Sequence, residues 1–299
     1  MTSRPQMPTT LQSLKREPIW TSLSERPVST GDPGSSASTY RFHGRKPFRS
    51  VTPDEQNLDV QLAAEELAVA AHIQSELMSI KLPSVSYARL TGKTIPCRAI
   101  GGDFFDAVAL TDATCAVVAD VSGKGIPAAI VAAMLQGIIH AGISAYQPLT
   151  MIATTVNEFL CSRTIGKFAT MVLLKIWESG RLEYLNCGHV PPLLVNDASV
   201  RQLSEGSTVV GLIPGAQYTA EICNLMPGDR IMIFTDGITE AENSHGEQFG
   251  ASALENGLRS VDSVFEQLST FQGNIERSDD CTLFELRYQG VESSLGRSY

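Results

Sequence analysis

Four aspartate-bearing turns border apolar, strand-like runs. They are Gly101-Gly102-Asp103-Phe104-Phe105-Asp106, then Asp120-Val121-Ser122-Gly123-Lys124-Gly125 after the buried-strand pattern Ala116-Val117-Val118-Ala119, then Asp236-Gly237 at the end of Ile231-Met232-Ile233-Phe234-Thr235, and Ser278-Asp279-Asp280 at the start of Cys281-Thr282-Leu283-Phe284. Aspartate is disfavoured inside strands and at home in turns, so any one of these alone is an ordinary turn. Four of them at strand ends carry more, because carboxylates from separate strands can converge on a common cation. Hard cations such as Mg²⁺ or Mn²⁺ take carboxylate and water oxygens. Two such ions about 3.5–4 Å apart can activate a water and clamp a phosphoryl group. Without them, that many neighbouring carboxylates repel one another and some take up protons.

Other polar motifs are weaker. Ser122-Gly123-Lys124-Gly125 superficially resembles a phosphate loop, but a Walker motif needs GxxxxGK followed by Ser or Thr, and here Gly125 follows Lys124. Gly123 and Gly125 fit a turn from strand to helix. Lys124 can still help to hold a phosphate. His189, in Gly188-His189-Val190-Pro191-Pro192, fits a turn-stabilising role better than a catalytic one, and Glu240 is read as structural.

These turns need a framework. Residues 1–50 are rich in Pro, Ser, Thr, Gly and Arg with no apolar period, which predicts a disordered basic tail. Thr52-Pro53-Asp54-Glu55 reads as a helix start, with Thr as N-cap and Pro at the first position. Leu58, Leu62, Val69, Ile73, Leu77 and Ile80 recur near helical spacing, so a helix over 52–82 is expected, ended by Pro83. It either packs on its own domain or acts as a linker, at 51–83, that pairs with a second copy or a regulator. A β-rich region over 84–289 follows. Strands are expected at 86–91, 104–110, 114–120, 169–177, 181–187, 191–195, 218–224, 230–235 and 281–288, and helices at 126–144, 148–162 and 251–271. Strict β-α alternation is absent, so packed antiparallel sheets with helices outside fit better than a doubly wound sheet. Residues 290–299 read as a loose tail.

Composition bounds the partners. The chain has 299 residues and is 43% hydrophobic, enough for a sizeable core. No apolar run is expected to span a membrane, and no signal-peptide pattern opens the chain. Cysteines 97, 115, 161, 187, 223 and 281 form no CxxC pair, so a reducing cytoplasm is the expected location. Residues 1–50 hold eight Lys/Arg against three Asp/Glu, a net of +5, which leaves −14 for the remainder of the −9 total. A strongly acidic main domain argues against nucleic acid as its partner.

Taken in order and spacing, the segments Gly101–Asp106, Asp120–Ala129, Asn186–Leu193, Phe234–Ala241 and Ser278–Thr282 make the region from about Leu62 to Tyr288 resemble the metal-dependent PPM (PP2C-like) protein phosphatases, closest to their bacterial SpoIIE/RsbU-type serine phosphatase branch. The resemblance implies an α+β fold: a four-layer αββα sandwich, two antiparallel sheets flanked by helices, with a two-metal site at one edge. Carried over by position, Asp120 bridges two Mn²⁺ or Mg²⁺ ions with the Val121 carbonyl beside it. Asp103 binds one of them, and Asp236 and Asp279 complete the set. Asp103 and Asp120 are the implied catalytic pair. Asp106, Lys124 and Asp280 are left to support the ligands or touch phosphate. The implied activity is hydrolysis of phosphoserine or phosphothreonine on a signalling protein, of the anti-sigma-factor antagonist kind, by a hydroxide activated on the metals. A non-catalytic, partner-binding module on the same fold is the alternative. Phe105 stands where the family commonly has tyrosine and Val190 where it has asparagine, but no ligand aspartate is missing.

Overall fold

The computed structural model describes residues 53–78, 81–163, 166–196, 198–255 and 260–291. The expected tail 1–50, the Thr52 cap and most of the expected tail 290–299 lie outside them. In chain order the strands are β1 (Ala88–Ile95), β2 (Phe104–Ala109), β3 (Ala113–Val121), β4 (Ala169–Trp177), β5 (Arg181–Cys187), β6 (Leu193–Val195), β7 (Val200–Gln202), β8 (Glu221–Asn224), β9 (Arg230–Phe234) and β10 (Cys281–Tyr288). The helices are α1 (Pro53–Met78), α2 (Ile126–Ser144), α3 (Leu149–Ser162), α4 (Asp236–Thr239), α5 (Ser252–Glu255) and α6 (Val261–Gln272).

The strands form two five-stranded antiparallel sheets, ordered β1-β10-β9-β6-β7 and β2-β3-β4-β5-β8. The alternation of side chains along a strand builds the layers. On β3, Ala116 and Val118 face the other sheet and join Val172, Leu174, Ile231, Ile233 and Phe284 in the central core. Val117, Ala119 and Val121 point the opposite way, onto α2 and α3. On the far side, Met232, Phe234 and Leu283 pack under α4, α5 and α6. The result is the four-layer αββα sandwich. Val117 and Val118 are both fully buried, because β3 is covered on both faces. Each such side chain contributes about 1.5–3 kcal/mol by leaving water.

Several boundaries differ from the sequence expectation. The helix expected over 52–82 is helical over Pro53–Met78, and residues 81–85 are irregular. The expected helix 251–271 is two helices, α5 and α6, and α6 starts afresh with the Ser260 hydroxyl capping the Ser263 amide. The first strand begins at Ala88 and runs to Ile95, because its register with β10 extends to Ile95↔Cys281. The short strand β7 has no apolar pattern, and all three of its residues are exposed.

Among the described residues one helix passes a membrane-span criterion by length and mean hydropathy, without an unbroken apolar run of that length. α2 is long and apolar enough by length and composition, interrupted only by polar residues such as Gln136 and His140. Half of it is buried in this fold, where Ala128, Val131, Leu135 and Ile139 form the layer over β3. By contrast, Leu58, Leu62, Val69, Ile73 and Leu77 of α1 all stay exposed. Their helical spacing does not mark a face packed on the domain.

Candidate active site

All four aspartate turns come to one edge of the sandwich, because antiparallel pairing sends the relevant ends of β2, β3, β9 and β10 the same way. Asp120 is the penultimate residue of β3, opposite Thr170 of β4. Asp103 lies immediately before β2 and is almost fully buried. The two carboxylates act on each other electrostatically, the charge of Asp120 raising Asp103. The Thr235 hydroxyl donates to Asp103 Oδ2 at 2.8 Å. Asp236 opens α4, one residue beyond Thr235. Asp279 enters from the turn before β10.

The electrostatics follow from burial and crowding. Burial, then the Asp120 charge, push Asp103 well above the usual carboxylate range. Burial, then Asp236 and Asp279, push Asp120 up to about 7. Asp236 is raised by burial and by Asp279. Among the described residues, Lys124 is the side-chain cation ion-paired to this cluster, with Nζ 2.8 Å from Asp279 Oδ2 and a further hydrogen bond to the Ser278 carbonyl.

Asp280 has a different job from its neighbour. It is buried, with Oδ1 accepting from the Cys97 amide at 2.8 Å and Oδ2 from the Gly102 amide at 2.7 Å. Both oxygens are spent on holding the 97–102 loop against β10. The contact leaves no room for a side chain at Gly101 of the loop, where a Cβ would sit 2.5 Å from Asp280 Oδ2, or at Gly237 of α4, where one would sit 2.0 Å from the Asp280 carbonyl. The Val121 carbonyl faces Gly102, where an added Cβ would lie 2.9 Å from it. Asp106, three residues beyond Asp103, binds elsewhere. Its Oδ2 lies 2.8 Å from His140 Nδ1 on α2, and its Oδ1 accepts from the Ala107 amide.

His189 is buried behind the cluster. Its amide donates to Asn186 Oδ1 at 2.8 Å, its carbonyl accepts from Asn186 Nδ2 at 3.0 Å, and its Nδ1 is 2.7 Å from the Thr170 hydroxyl. Burial pushes it down to about 4. A neutral histidine bracing the strand next to Asp120 agrees with the turn-stabilising role read from Gly188-His189.

Three polar residues near the cluster gave no signal in the sequence. Gln74 of α1 donates to the Gly101 carbonyl at 2.8 Å, and its Oε1 accepts from the Gly101 amide at 3.2 Å. It lines a cleft of about 400 Å³ shared with Met78, Lys93, Asp103 and Phe105. Arg98 lies against the turn after Asp120, where a Cβ on Gly125 would be 3.4 Å from its Nη1. Thr235 orients Asp103, as above. Each lies far along the chain from the carboxylate it serves or in a loop without periodicity, so no local pattern could have marked it.

The donor chemistry fits hard divalent cations. Asp103, Asp120, Asp236, Asp279 and the Val121 carbonyl offer oxygen alone, and their mutual repulsion is what a cation would relieve. The adjoining thiol of Cys97 is pushed up to about 11 by burial and by Asp280, so it stays protonated and is a poor ligand.

The family model of Stage II sporulation protein E (SpoIIE) matches residues 111–289. Phosphoserine phosphatase RsbU of Bacillus subtilis is 26% identical over 241 residues, covering 74% of this chain and 70% of that protein. Protein IcfG of Synechocystis is 25% identical over 221 residues, covering 63% of this chain, which spans only 35% of IcfG. Among solved structures, the RsbU and RsbW domains of Rv1364c from Mycobacterium tuberculosis superpose with a TM-score of 0.62 at 29% identity, covering 71% of this chain and 63% of that one. With the two-sheet sandwich and the aspartate edge in place, the match over most of the folded region means that this chain belongs to the SpoIIE family, the SpoIIE/RsbU-type branch of the PPM protein phosphatases.

Proposed function

We propose that this chain hydrolyses phosphoserine or phosphothreonine on a signalling protein, with two divalent cations held by Asp103, Asp120, Asp236, Asp279 and the Val121 carbonyl. The observation that supports it most is the convergence of four carboxylates, three of them pushed above their usual range, with one lysine to offset them. Mn²⁺ or Mg²⁺ there supplies Lewis acidity toward phosphoryl oxygens and lowers the pKa of water. The chain's own contribution is positional. Asp280 and the Thr235 hydroxyl fix the Asp103 turn, and β3 with its neighbour β4 fixes Asp120. Arg98, which lies against the Gly125 turn, and Lys124 are the cations proposed to receive the phosphoryl oxygens. The substrate reading, a phosphorylated anti-sigma-factor antagonist, rests on the likeness to RsbU, named as a phosphoserine phosphatase. The net −14 after residue 50 favours protein over nucleic acid, and the cytoplasm is the proposed location.

The test is phosphate release from phosphorylated antagonist proteins of the same genome, with Mn²⁺ and with EDTA. Mn²⁺-dependent release is expected; no release from any phosphoprotein in either condition would overturn the reading. Arg98→Ala is expected to raise KM for the phosphoprotein by roughly tenfold, the loss of one charge-assisted contact, with a smaller change in kcat. An unchanged KM would remove Arg98 from phosphate recognition.

The exposed apolar residues of α1 and the Gln74 grip on Gly101 support a regulatory role for this helix, engaged by a regulator or a second copy. Gln74→Ala removes two hydrogen bonds that hold the loop before Asp103, each worth about 0.5–1.5 kcal/mol net. The Mn²⁺ concentration for half-maximal turnover should rise roughly tenfold, and the melting temperature should fall by no more than roughly 3–8 °C. Unchanged Mn²⁺ dependence would show that α1 does not act through this contact.

A further inference from the structure

One carboxylate of the cluster already carries a cation. Asp279 Oδ1 accepts from the Asp280 amide at 2.9 Å, and Oδ2 is 2.8 Å from Lys124 Nζ. The ammonium is also tied to the Ser278 carbonyl. Asp103 instead accepts from the Thr235 hydroxyl at 2.8 Å. A divalent cation that takes Asp279 therefore meets a positive charge at the oxygen it needs.

We propose that Lys124 is a resident counter-ion of Asp279 that an incoming divalent cation must displace, and that the displaced ammonium then turns to the substrate phosphoryl group. This rests on the phosphatase reading of the site. An ammonium and a divalent ion cannot share one carboxylate oxygen without strong repulsion. Exchange between them needs no unfolding, because the Lys124 and Asp279 side chains are 35% and 40% exposed. The backbone around Lys124 suits a swinging side chain. It stands between Gly123 at φ 86° and Gly125 at φ 69°. That short turn is anchored on both sides: the Ser122 amide donates to the Phe168 carbonyl, the Ser122 carbonyl accepts from Lys167 Nζ at 2.6 Å, and α2 starts at Ile126. The lysine thus moves between fixed points. Metal loading and phosphate binding become linked: a loaded site exposes the cation that the substrate phosphate needs, and an unloaded site keeps it engaged.

Calorimetric titration of Mn²⁺ into the full chain tests this without any turnover. Lys124→Met keeps the length of the side chain and removes its charge, so Mn²⁺ should bind roughly fivefold more tightly, the scale of a partly exposed ion pair. Lys124→Arg keeps the charge and should stay within about twofold of the native chain. Equal or weaker binding by Lys124→Met would overturn the proposal, because a lysine that merely orients Asp279 would cost affinity when lost. A second measurement uses the native chain and is independent of how the variant folds. Limited acetylation followed by mass spectrometry, normalised to exposed Lys81, should modify Lys124 more when Mn²⁺ saturates the protein. Unchanged or reduced modification would sink the displacement. A native chain that binds no Mn²⁺ at all would sink the phosphatase reading itself, an outcome distinct from either result on Lys124.

Discussion

Asp120→Asn should lower metal-dependent phosphatase activity by about 10³-fold or more and, in EDTA, raise the melting temperature. The two effects have one cause. Asp120 is the carboxylate on which the others bear: it feels the charges of Asp236, Asp279 and Asp280, and its own charge raises Asp103. Asparagine keeps the shape and removes the charge. The proposed bridge between cations is then lost, and each 1.36 kcal/mol of lost transition-state stabilisation is a factor of ten. Without metal, the same change removes one of the repelling charges acting on Asp103. Relief of about 1–3 kcal/mol is reasonable for a mostly buried carboxylate among like charges. For a folded region of this size that corresponds to a rise of roughly 3–8 °C. Phosphoprotein turnover with Mn²⁺ and calorimetric melting in EDTA check both halves. Retained activity within tenfold would remove Asp120 from the metal bridge, and a fall in melting temperature would show that repulsion is not what strains this edge.

The second large effect belongs to His189. Burial pushes it down to about 4, against 6.5 for the free side chain, and the Phe234 backbone opposes only part of the shift. Between those two values the unfolded chain carries a proton on this residue that the folded chain does not. Stability therefore falls as pH drops through the window and is unaffected above about pH 7. The expected loss from this one group between pH 7.5 and pH 5 is about 2 kcal/mol. His189→Gln lacks the titration. Its stability, measured by denaturant unfolding in EDTA, should lie furthest below that of the native chain at pH 7.5, and the gap should close by about 2 kcal/mol at pH 5. The carboxylates of the cluster titrate in both proteins and largely cancel in the difference. A gap independent of pH would mean that His189 is not held neutral by the fold. The prediction draws on its position between Asn186 and Thr170, with Thr170 directly opposite Asp120, so the same burial that costs acid stability keeps that strand in place.

The layers of the fold were legible because they follow from period. Val117, Val118 and Ala119 on β3 sit in an apolar run that only a strand covered on both faces would need, and α2 and α3 show helical spacing next to it. Boundaries were less legible. The apolar residues of α1 keep a helical period and yet face solvent, because periodicity reports that a helix has an apolar face and says nothing about what covers it. The second half of the expected helix 251–271 restarts at the Ser260 cap, where a local hydrogen bond overrides the broader apolar pattern.

By itself the sequence determined that four acidic turns exist at strand ends, that the framework is α+β, and which family the motifs resemble, since each of these is written in local residue types and spacing. Residue type and spacing do not tell Asp279 from its neighbour Asp280; only the family resemblance set Asp279 among the ligands and Asp280 in support. Tertiary structure divides them: Asp280 is turned inward onto the amides of Cys97 and Gly102, and Asp279 outward onto Lys124. Nor could the sequence join Gln74 to Gly101, Thr235 to Asp103 or Arg98 to Gly125, or send Asp106 to His140. Those pairings are set by the register of the strands and the placement of the helices over them. Hydrogen bonds and ion pairs act over a few ångströms of space, whereas a sequence records only separation along the chain.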